Sequence, residues 1–453
     1  MKFGGTSVAD EPAFRRVTAI VKSQLARQSQ TERPPVVVVS ALSKVTDGLL
    51  QVARLVESDD RRRAIDRLDE LAERHVRIAA AVTTGERLSG VTGELRGLFA
   101  ATSETIRALP SSELSPRLLD AIASTGELAS SRLLAAALAE AGLATTWVDA
   151  RRVVVTDAEH LAAQPDMTAT CTCAQRHVGP LLARGEIAVL GGFIGATTEG
   201  VTTTLGRGGS DYSAAILGAC LDAREIQIWT DVDGMLTADP RVVPRPRLVP
   251  RLSFAEASEL AYFGAKVLHP STILPAVSKN IPVRILNSVD PDRPGTLIAA
   301  EPEGAGGHVT AIACKRGATV IDITSTRMFM RHGFLRRVFE VFERFKTPVD
   351  VVTTSEVSVS VTIDDPRRLG EITGALREFA DVACVPEMAI ICAVGEDVHQ
   401  DPRAFGRAIS AIDAIPLRMV SQAASRRNMT FVLSDAEVPA AMARLHDEFF
   451  GRS

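Results

Sequence analysis

Short runs of apolar, β-branched residues alternate with longer amphipathic stretches through the first two thirds of the chain. That alternation predicts an α/β domain, a mostly parallel sheet sandwiched by helices. Val36-Val37-Val38-Val39 follows Pro34-Pro35 and stops at Ser40, Ile187-Ala188-Val189-Leu190 stops at Gly191-Gly192, and Ile226-Gln227-Ile228-Trp229 stops at Thr230-Asp231. Ligands of open α/β sheets gather at the carboxyl ends of the strands, so these small and polar stops are where a site is expected. Residues 51–140, rich in Leu, Ala, Arg and Glu with few breakers, read as helices over one sheet face. The Arg61-Arg62-Arg63 run inside them reads as a solvated helix surface. Pro244, Pro246 and Pro250 mark an irregular connection before a new helix near Ser253.

The pattern changes after a linker at 291–308, where Asp-Arg-Pro-Gly and Gly-Ala-Gly-Gly fall. The tail reads as strand 319–324, helix 333–345, strands 349–354 and 357–363, helix 366–380 and strand 381–394, a βαββαβ module. A partial second copy follows: helix 404–412, strands 417–420 and 429–433, and helix 438–450. It lacks a first strand of its own and is expected to borrow 388–394 and to recruit 310–313. The expected division is therefore 1–300 for the α/β domain, 309–385 and 386–453 for two ferredoxin-like modules, with interleaved boundaries.

Composition narrows the function. The 453 residues carry 51 Lys+Arg against 55 Asp+Glu, a formal charge of −4, which excludes the broad positive field of a non-specific nucleic-acid binder. Aromatics make up only 4%, too few for base-stacking platforms. No apolar stretch approaches the roughly 20 residues that span a bilayer, and Met1-Lys-Phe-Gly-Gly5 lacks the apolar core of a signal peptide. The expectation is a cytoplasmic protein with neither a nucleic-acid nor a membrane partner. Cys171, Cys173, Cys220, Cys314, Cys384 and Cys392 are too scattered for a disulfide scaffold and read as small buried thiols in a reducing compartment. Cys171-Thr-Cys173 lacks metal-ligand spacing, and no metal site is expected from the protein's own side chains.

Four clusters carry chemistry. In Lys2-Phe-Gly-Gly-Thr-Ser7 adjacent glycines let backbone N–H groups approach an anion while Lys2 supplies a mobile charge. Gly206-Arg-Gly-Gly-Ser-Asp-Tyr212 opens a helix-like run, so it offers unpaired N–H groups and a positive dipole end to a phosphate; it is not a Walker sequence. Trp229-Thr-Asp-Val-Asp-Gly-Met-Leu-Thr-Ala-Asp-Pro-Arg241 is a strand end followed by carboxylate-rich turns, in which Asp233-Gly and Asp239-Pro also suit plain turn capping. Phe263-Gly-Ala-Lys-Val-Leu-His-Pro270 sets Lys266 in an apolar segment. Ser124-Thr-Gly-Glu127 has the spacing of a helix-opening capping box.

Together, in this order, these segments resemble the aspartate kinases, enzymes of the amino-acid-kinase fold with paired C-terminal ACT domains. The resemblance takes in Lys2 to Val8, Ser124 to Glu127, Gly206 to Tyr212, Trp229 to Arg241 and Phe263 to Pro270, and continues in Val349-Asp-Val-Val-Thr-Thr-Ser-Glu-Val-Ser358. It is nearest the lysine-sensitive monofunctional type. It implies transfer of the ATP γ-phosphate, with Mg²⁺, to the β-carboxylate of L-aspartate, the first step toward lysine, threonine, methionine and diaminopimelate. Lys2, Gly4, Gly5 and Ser210 would surround the transferring phosphate. Thr46, Glu127 and Arg207 would hold aspartate, and Asp211 would order Lys2 or the metal environment. Thr230, Asp231, Arg241 and Lys266 match nucleotide contacts, with Leu236 standing where relatives carry Tyr. Met328, Val349, Asp350, Ser355 and Glu356 match a lysine effector site, from which Arg331 and Pro348 depart. A homodimer or dimer of dimers through the ACT domains is implied. The rival readings are a kinase of the same fold acting on a glutamate-type substrate, and a catalytically weak amino-acid sensor. Elementary chemistry suits the first reading. A side-chain carboxyl with pKa about 3.9 is already ionised at neutral pH, so it needs no general base. The obstacle is repulsion between anions, which cations and helix N-termini relieve.

Overall fold

The structure is a computed structural model that describes all residues except 28, 30, 31, 111, 112, 265–269, 301–307, 326–331, 402, 423–425, 452 and 453. Lys266, Met328 and Arg331 lie outside the described residues. The chain divides into two compact units, Met1–Met235 with Leu268–Ala300, and Leu236–Val267 with Glu301–Ser453.

In chain order the first unit comprises β1 (Lys2–Phe3), α1 (Glu11–Arg27), β2 (Val36–Val39), α2 (Val45–Glu57), α3 (Arg61–Val82), α4 (Gly85–Arg107), α5 (Pro116–Glu140), β3 (Thr145–Trp147), α6 (Met167–His177), α7 (Gly179–Ala183), β4 (Ile187–Gly191), β5 (Ile194–Ala196), β6 (Thr202–Thr204), α8 (Gly209–Cys220) and β7 (Ile226–Thr230). After β8 (Arg251–Ser253) and α9 (Phe254–Tyr262), which belong to the second unit, it resumes with α10 (Leu274–Ser278), β9 (Val283–Asn287) and β10 (Thr296–Ala299). Its main strands run β3-β4-β2-β1-β7-β9-β10. All neighbours are parallel except β9 and β10. β5 and β6 form a separate antiparallel pair.

The three apolar runs expected as strands are β2, β4 and β7, and each ends at the predicted small or polar stop. The Leu/Ala-rich stretch forms helices whose inner residues Val52, Leu68, Phe99 and Leu133 join Phe3, Val37, Val189 and Trp229 in one buried core. Leucine and alanine at helical spacing give such helices an apolar stripe, and its burial rather than propensity stabilises them. Ser124-Thr-Gly-Glu127 does not open a helix. Helix α5 starts at Ser115, whose side chain accepts from Leu118 N ahead of Pro116, and Glu127 lies in its middle. A capping serine followed by proline at the first helical position is the stronger start signal.

A second correction concerns the cysteines. Cys171 and Cys220, read as separate thiols, form a disulfide that joins α6 to the end of α8; Cys173, Cys314, Cys384 and Cys392 are free. Their separation of 49 residues gives no spacing signal, and only the packing of α6 on α8 brings them together.

The remainder of the second unit comprises β11 (Ala311–Thr324), α11 (Phe334–Arg344), β12 (Val352–Thr354), β13 (Ser358–Ile363), α12 (Leu369–Arg377), β14 (Asp381–Val394), α13 (Ala404–Ala411), β15 (Leu417–Ser421), β16 (Asn428–Ser434) and α14 (Val438–Phe450). Its antiparallel sheet has the order β12-β13-β11-β14-β16-β15. The 14-residue strands β11 and β14 explain the missing strand. One end of β11 pairs with β13, while Ala311–Ala313 pair with Val394–Cys392, and Met388–Val394 pair in turn with β16. Two cores result. Ile321, Val338, Phe342, Ile363, Ile372 and Leu376 build one, and Ile312, Ile391, Phe431, Met442 and Leu445 the other.

Candidate active site

The site of the first unit is built at the carboxyl ends of β1, β2 and β4. Strand β1 is two residues long and lies between β2 and β7, with Lys2 opposite Val38 and Ile228. Side chains alternate along a strand, so Phe3 stacks on Trp229 in the core while Lys2 leaves by the other side. Its ammonium lies 2.7 Å from Asp211 Oδ1 at the start of α8. Gly4 N donates to Trp229 O, and Gly5 O accepts from Ser43 N, which holds the glycine pair between β7 and the segment after β2. A Cβ on Gly5 would come within 2.9 Å of Ala41 O, so only glycine permits that approach.

Helix α5 brings Glu127 to the same place. A Cβ on Gly126 would stand 2.9 Å from Ala41 Cβ, and one on Gly191 would stand 2.9 Å from Glu127 O; both glycines allow the helix to press against the ends of β2 and β4. Ala41 N donates to Glu127 Oε1 at 3.1 Å. Glu127 is 3% exposed, and its Oε2 has no partner among the described residues. Burial pushes its carboxyl from the ordinary 4.5 up to about 8, against the pull of the Ala41 amide.

The third wall is the glycine loop after β6. Gly206 and Gly208 both have φ +73, the left-handed region, and Gly208 caps α8. Arg207 between them is exposed. A Cβ on Gly192 would meet Ser210 Cβ at 2.7 Å, so the turn after β4 touches the first turn of α8.

Between these walls is a cavity of about 520 Å³, a size suited to a small ligand. Lys2, Gly5, Thr46, Glu127, Arg207, Ser210 and Asp211 all line it, so the expected substrate and phosphate residues converge. Gly4 borders Lys2 Nζ, which a Cβ there would meet at 3.7 Å. Thr230 and Asp231 are not among the lining residues; Thr230 ends β7 beside β1, and its hydroxyl donates to Asp231 Oδ1. Sequence reasoning missed the Ala41 amide, Phe193, Leu161 and Thr204, which also line the cavity or bond to Glu127. No residue-type signal marks them, because backbone groups and apolar walls are defined only by the fold.

The remaining expected residues belong to the second unit. Arg241 pairs with the neighbouring Asp239, Nη2 to Oδ2 2.6 Å, and this carboxylate raises its pKa. Asp239 therefore does act as a turn acid. Val349 packs against the first tail core. Ser355 Oγ and Ser358 Oγ are 2.7 Å apart in the turn between β12 and β13, where Glu356 is exposed. Asp350 is 2% exposed in its side chain and is already engaged: Lys315 Nζ lies 2.8 Å from its Oδ1 and 2.8 Å from Asp364 Oδ2, and Tyr262 OH donates to it at 2.8 Å. Burial and the Asp350 carboxylate together hold the Tyr262 phenol well above its usual range.

Comparison with known proteins identifies the family. The model of the amino acid kinase family matches residues 1–287 and that of an ACT domain matches 391–449. The lysine-sensitive aspartokinase 3 of Escherichia coli is 35% identical over 99% of this chain and 98% of its own length, and the chloroplastic aspartokinase 3 of Arabidopsis thaliana is 35% identical over 99% and 81%. The crystal structure of E. coli aspartokinase III with aspartate and ADP superposes with a TM-score of 0.82 at 34% identity, covering 99% of both chains; its lysine and aspartate complex gives 0.79. The chain belongs to the amino acid kinase family and, within it, to the aspartokinases.

Proposed function

We propose that the cavity of the first unit is where this chain phosphorylates L-aspartate. Aspartokinase membership defines the reaction: transfer of the ATP γ-phosphate to the β-carboxylate, giving 4-phospho-L-aspartate at the entry to aspartate-family amino acid synthesis, with regulation through the ACT region. The observation that carries the site assignment is Glu127, a buried carboxylate whose Oε2 is unpartnered in a cavity it shares with Arg207. Once ionised, that oxygen is a buried acceptor that calls for a donor, and the α-ammonium of aspartate supplies one. Arg207 clasps a carboxylate through its planar fork, and Thr46 adds a hydroxyl.

The nucleophile is ionised on arrival, so the site's work is alignment and charge compensation. Lys2 faces the transferring phosphate from the turn of Gly4 and Gly5, Asp211 keeps its ammonium in place, and Ser210 presents the start of α8. Thr230 and Asp231 take a further part of the nucleotide. The donor set fits Mg²⁺ carried in on phosphates: among the described residues no three His, Cys, Asp or Glu side chains cluster, and Mg²⁺ needs only one or two carboxylates beside phosphate oxygens and water. Asp211 is the carboxylate that would hold it, where it would offset phosphate charge.

The second unit is proposed to bind lysine through Met328, Val349, Asp350, Ser355 and Glu356, with 309–385 and 386–453 as interleaved ACT domains after a catalytic domain of 1–300. Val352 on the edge strand β12 and Leu335 and Phe339 on α11 are exposed apolar side chains, which supports dimerisation through this unit. The test is ATP-dependent acyl-phosphate formation trapped by hydroxylamine, with aspartate, glutamate and N-acetyl-aspartate compared. Hydroxamate with aspartate alone is expected. No product from folded protein at high aspartate rejects the reading.

A further inference from the structure

Two carboxylates of α5 are buried, Glu127 and, two turns earlier, Asp120. Asp120 is completely enclosed, at 0% exposure. Its Oδ1 accepts from Thr204 Oγ1 at 2.5 Å and from Leu161 N at 3.2 Å; its Oδ2 accepts from the same amide at 3.2 Å and lies 2.6 Å from His160 Nδ1. An enclosed carboxylate is tolerated only when its lone pairs are used, and here the partners sit on the two segments that frame Arg207.

Thr204 ends β6, three residues before Arg207. Leu161 abuts the loop from the other side: a Cβ on Gly206 would lie 3.1 Å from Leu161 O, and Ala163 N donates to Thr204 O. Leu161 is also held at φ +72, a left-handed conformation that leucine keeps only where its surroundings impose it. Both oxygens of Asp120 accept from its amide. The helix that carries Glu127 and the loop that carries Arg207 are thus joined through one buried side chain that touches neither.

We propose that Asp120 is a positioning residue for the aspartate site, setting the span between Glu127 and Arg207. The proposal rests on the reading that these two residues hold opposite ends of aspartate. A substrate gripped at both ends is sensitive to small changes in that span, since displacements near 1 Å cost on the order of 10²-fold. Asp120→Asn preserves shape but replaces one acceptor oxygen by a donor amide. It is expected to raise the aspartate KM by about tenfold or more while the ATP KM stays within about twofold. Thr204→Val removes one bond from the opposite side, and because both changes break the same link, the double variant is expected to resemble D120N alone. Aspartate and ATP KM rising together, an unchanged aspartate KM in folded D120N, or additive effects in the double variant would overturn the proposal. Should D120N not fold, T204V carries the test alone, a raised aspartate KM supporting the link and an unchanged one refuting it. Glu127→Gln and Arg207→Ala are measured alongside. If they raise the aspartate KM and D120N does not, positioning alone fails; if they leave it at the wild-type value, the reading of the site fails.

Discussion

With the aspartate ammonium seated on Glu127, as proposed, substrate binding is coupled to a proton. Burial lifts the Glu127 carboxyl to about 8, so at pH 7 only about one ligand-free molecule in eleven carries the carboxylate that an ammonium group requires. Apparent affinity scales with the competent fraction. That fraction rises from about 0.09 at pH 7 to about 0.76 at pH 8.5, so the aspartate KM should fall roughly eightfold over this interval while the ATP KM stays level. Calorimetric titration of aspartate at pH 7 in two buffers of different ionisation heat should show about 0.9 proton released per ligand bound. Stability of the free protein moves the other way. Because the folded carboxyl titrates above its unfolded value, its contribution is fully present below about pH 4.5 and is lost as pH rises through about 8. Glu127→Gln should bind aspartate weakly, flatten the KM profile and remove that loss of stability. A level aspartate KM between pH 7 and 8.5, with no proton released, would refute the reasoning.

Three further outcomes are expected. Lys2→Met should lower kcat by about 10²- to 10³-fold with aspartate binding retained by calorimetry, since Lys2 is assigned to the phosphate. Lys315→Met should lower the lysine concentration for half-inhibition, because a cationic effector must otherwise displace Lys315 from Asp350; activity titrated against lysine checks it, and an unchanged midpoint counts against an effector ammonium at Asp350. Cys171→Ser should reduce stability by up to about 4 kcal/mol from loop closure over the 49-residue separation, an effect that denaturant melts should reproduce when dithiothreitol is added to the wild-type protein.

Much of the architecture is legible in the chain because local rules and the fold agree. The β-branched runs that end in Ser40, Gly191 and Thr230 are strands whose ends line up across the sheet, and the second tail module's need for a strand follows from counting its elements. The glycines of Lys2 to Ser7 and Gly206 to Tyr212 are legible for the same reason: the close approach found at Gly5 requires glycine, and the left-handed turns at Gly206 and Gly208 favour it. Long-range partnerships are not legible. Ser124 to Glu127 have a helix-start spacing that Ser115-Pro116 overrides nine residues earlier. Asp120 on an amphipathic helix looks like any solvent-facing acid until Thr204 and Leu161 fold onto it. Nothing in their spacing pairs Cys171 with Cys220, and Asp350 reads as a free effector carboxylate until strand pairing brings Lys315 within 2.8 Å.

The most direct test of the assignment is a crystal structure of the protein with L-aspartate. Density for aspartate is expected in the cavity, its amino group on Glu127 Oε2 and a carboxylate on the Arg207 guanidinium, with the β-carboxylate toward Lys2. Aspartate bound elsewhere in an intact crystal, or seated there with its amino group away from Glu127, would contradict it.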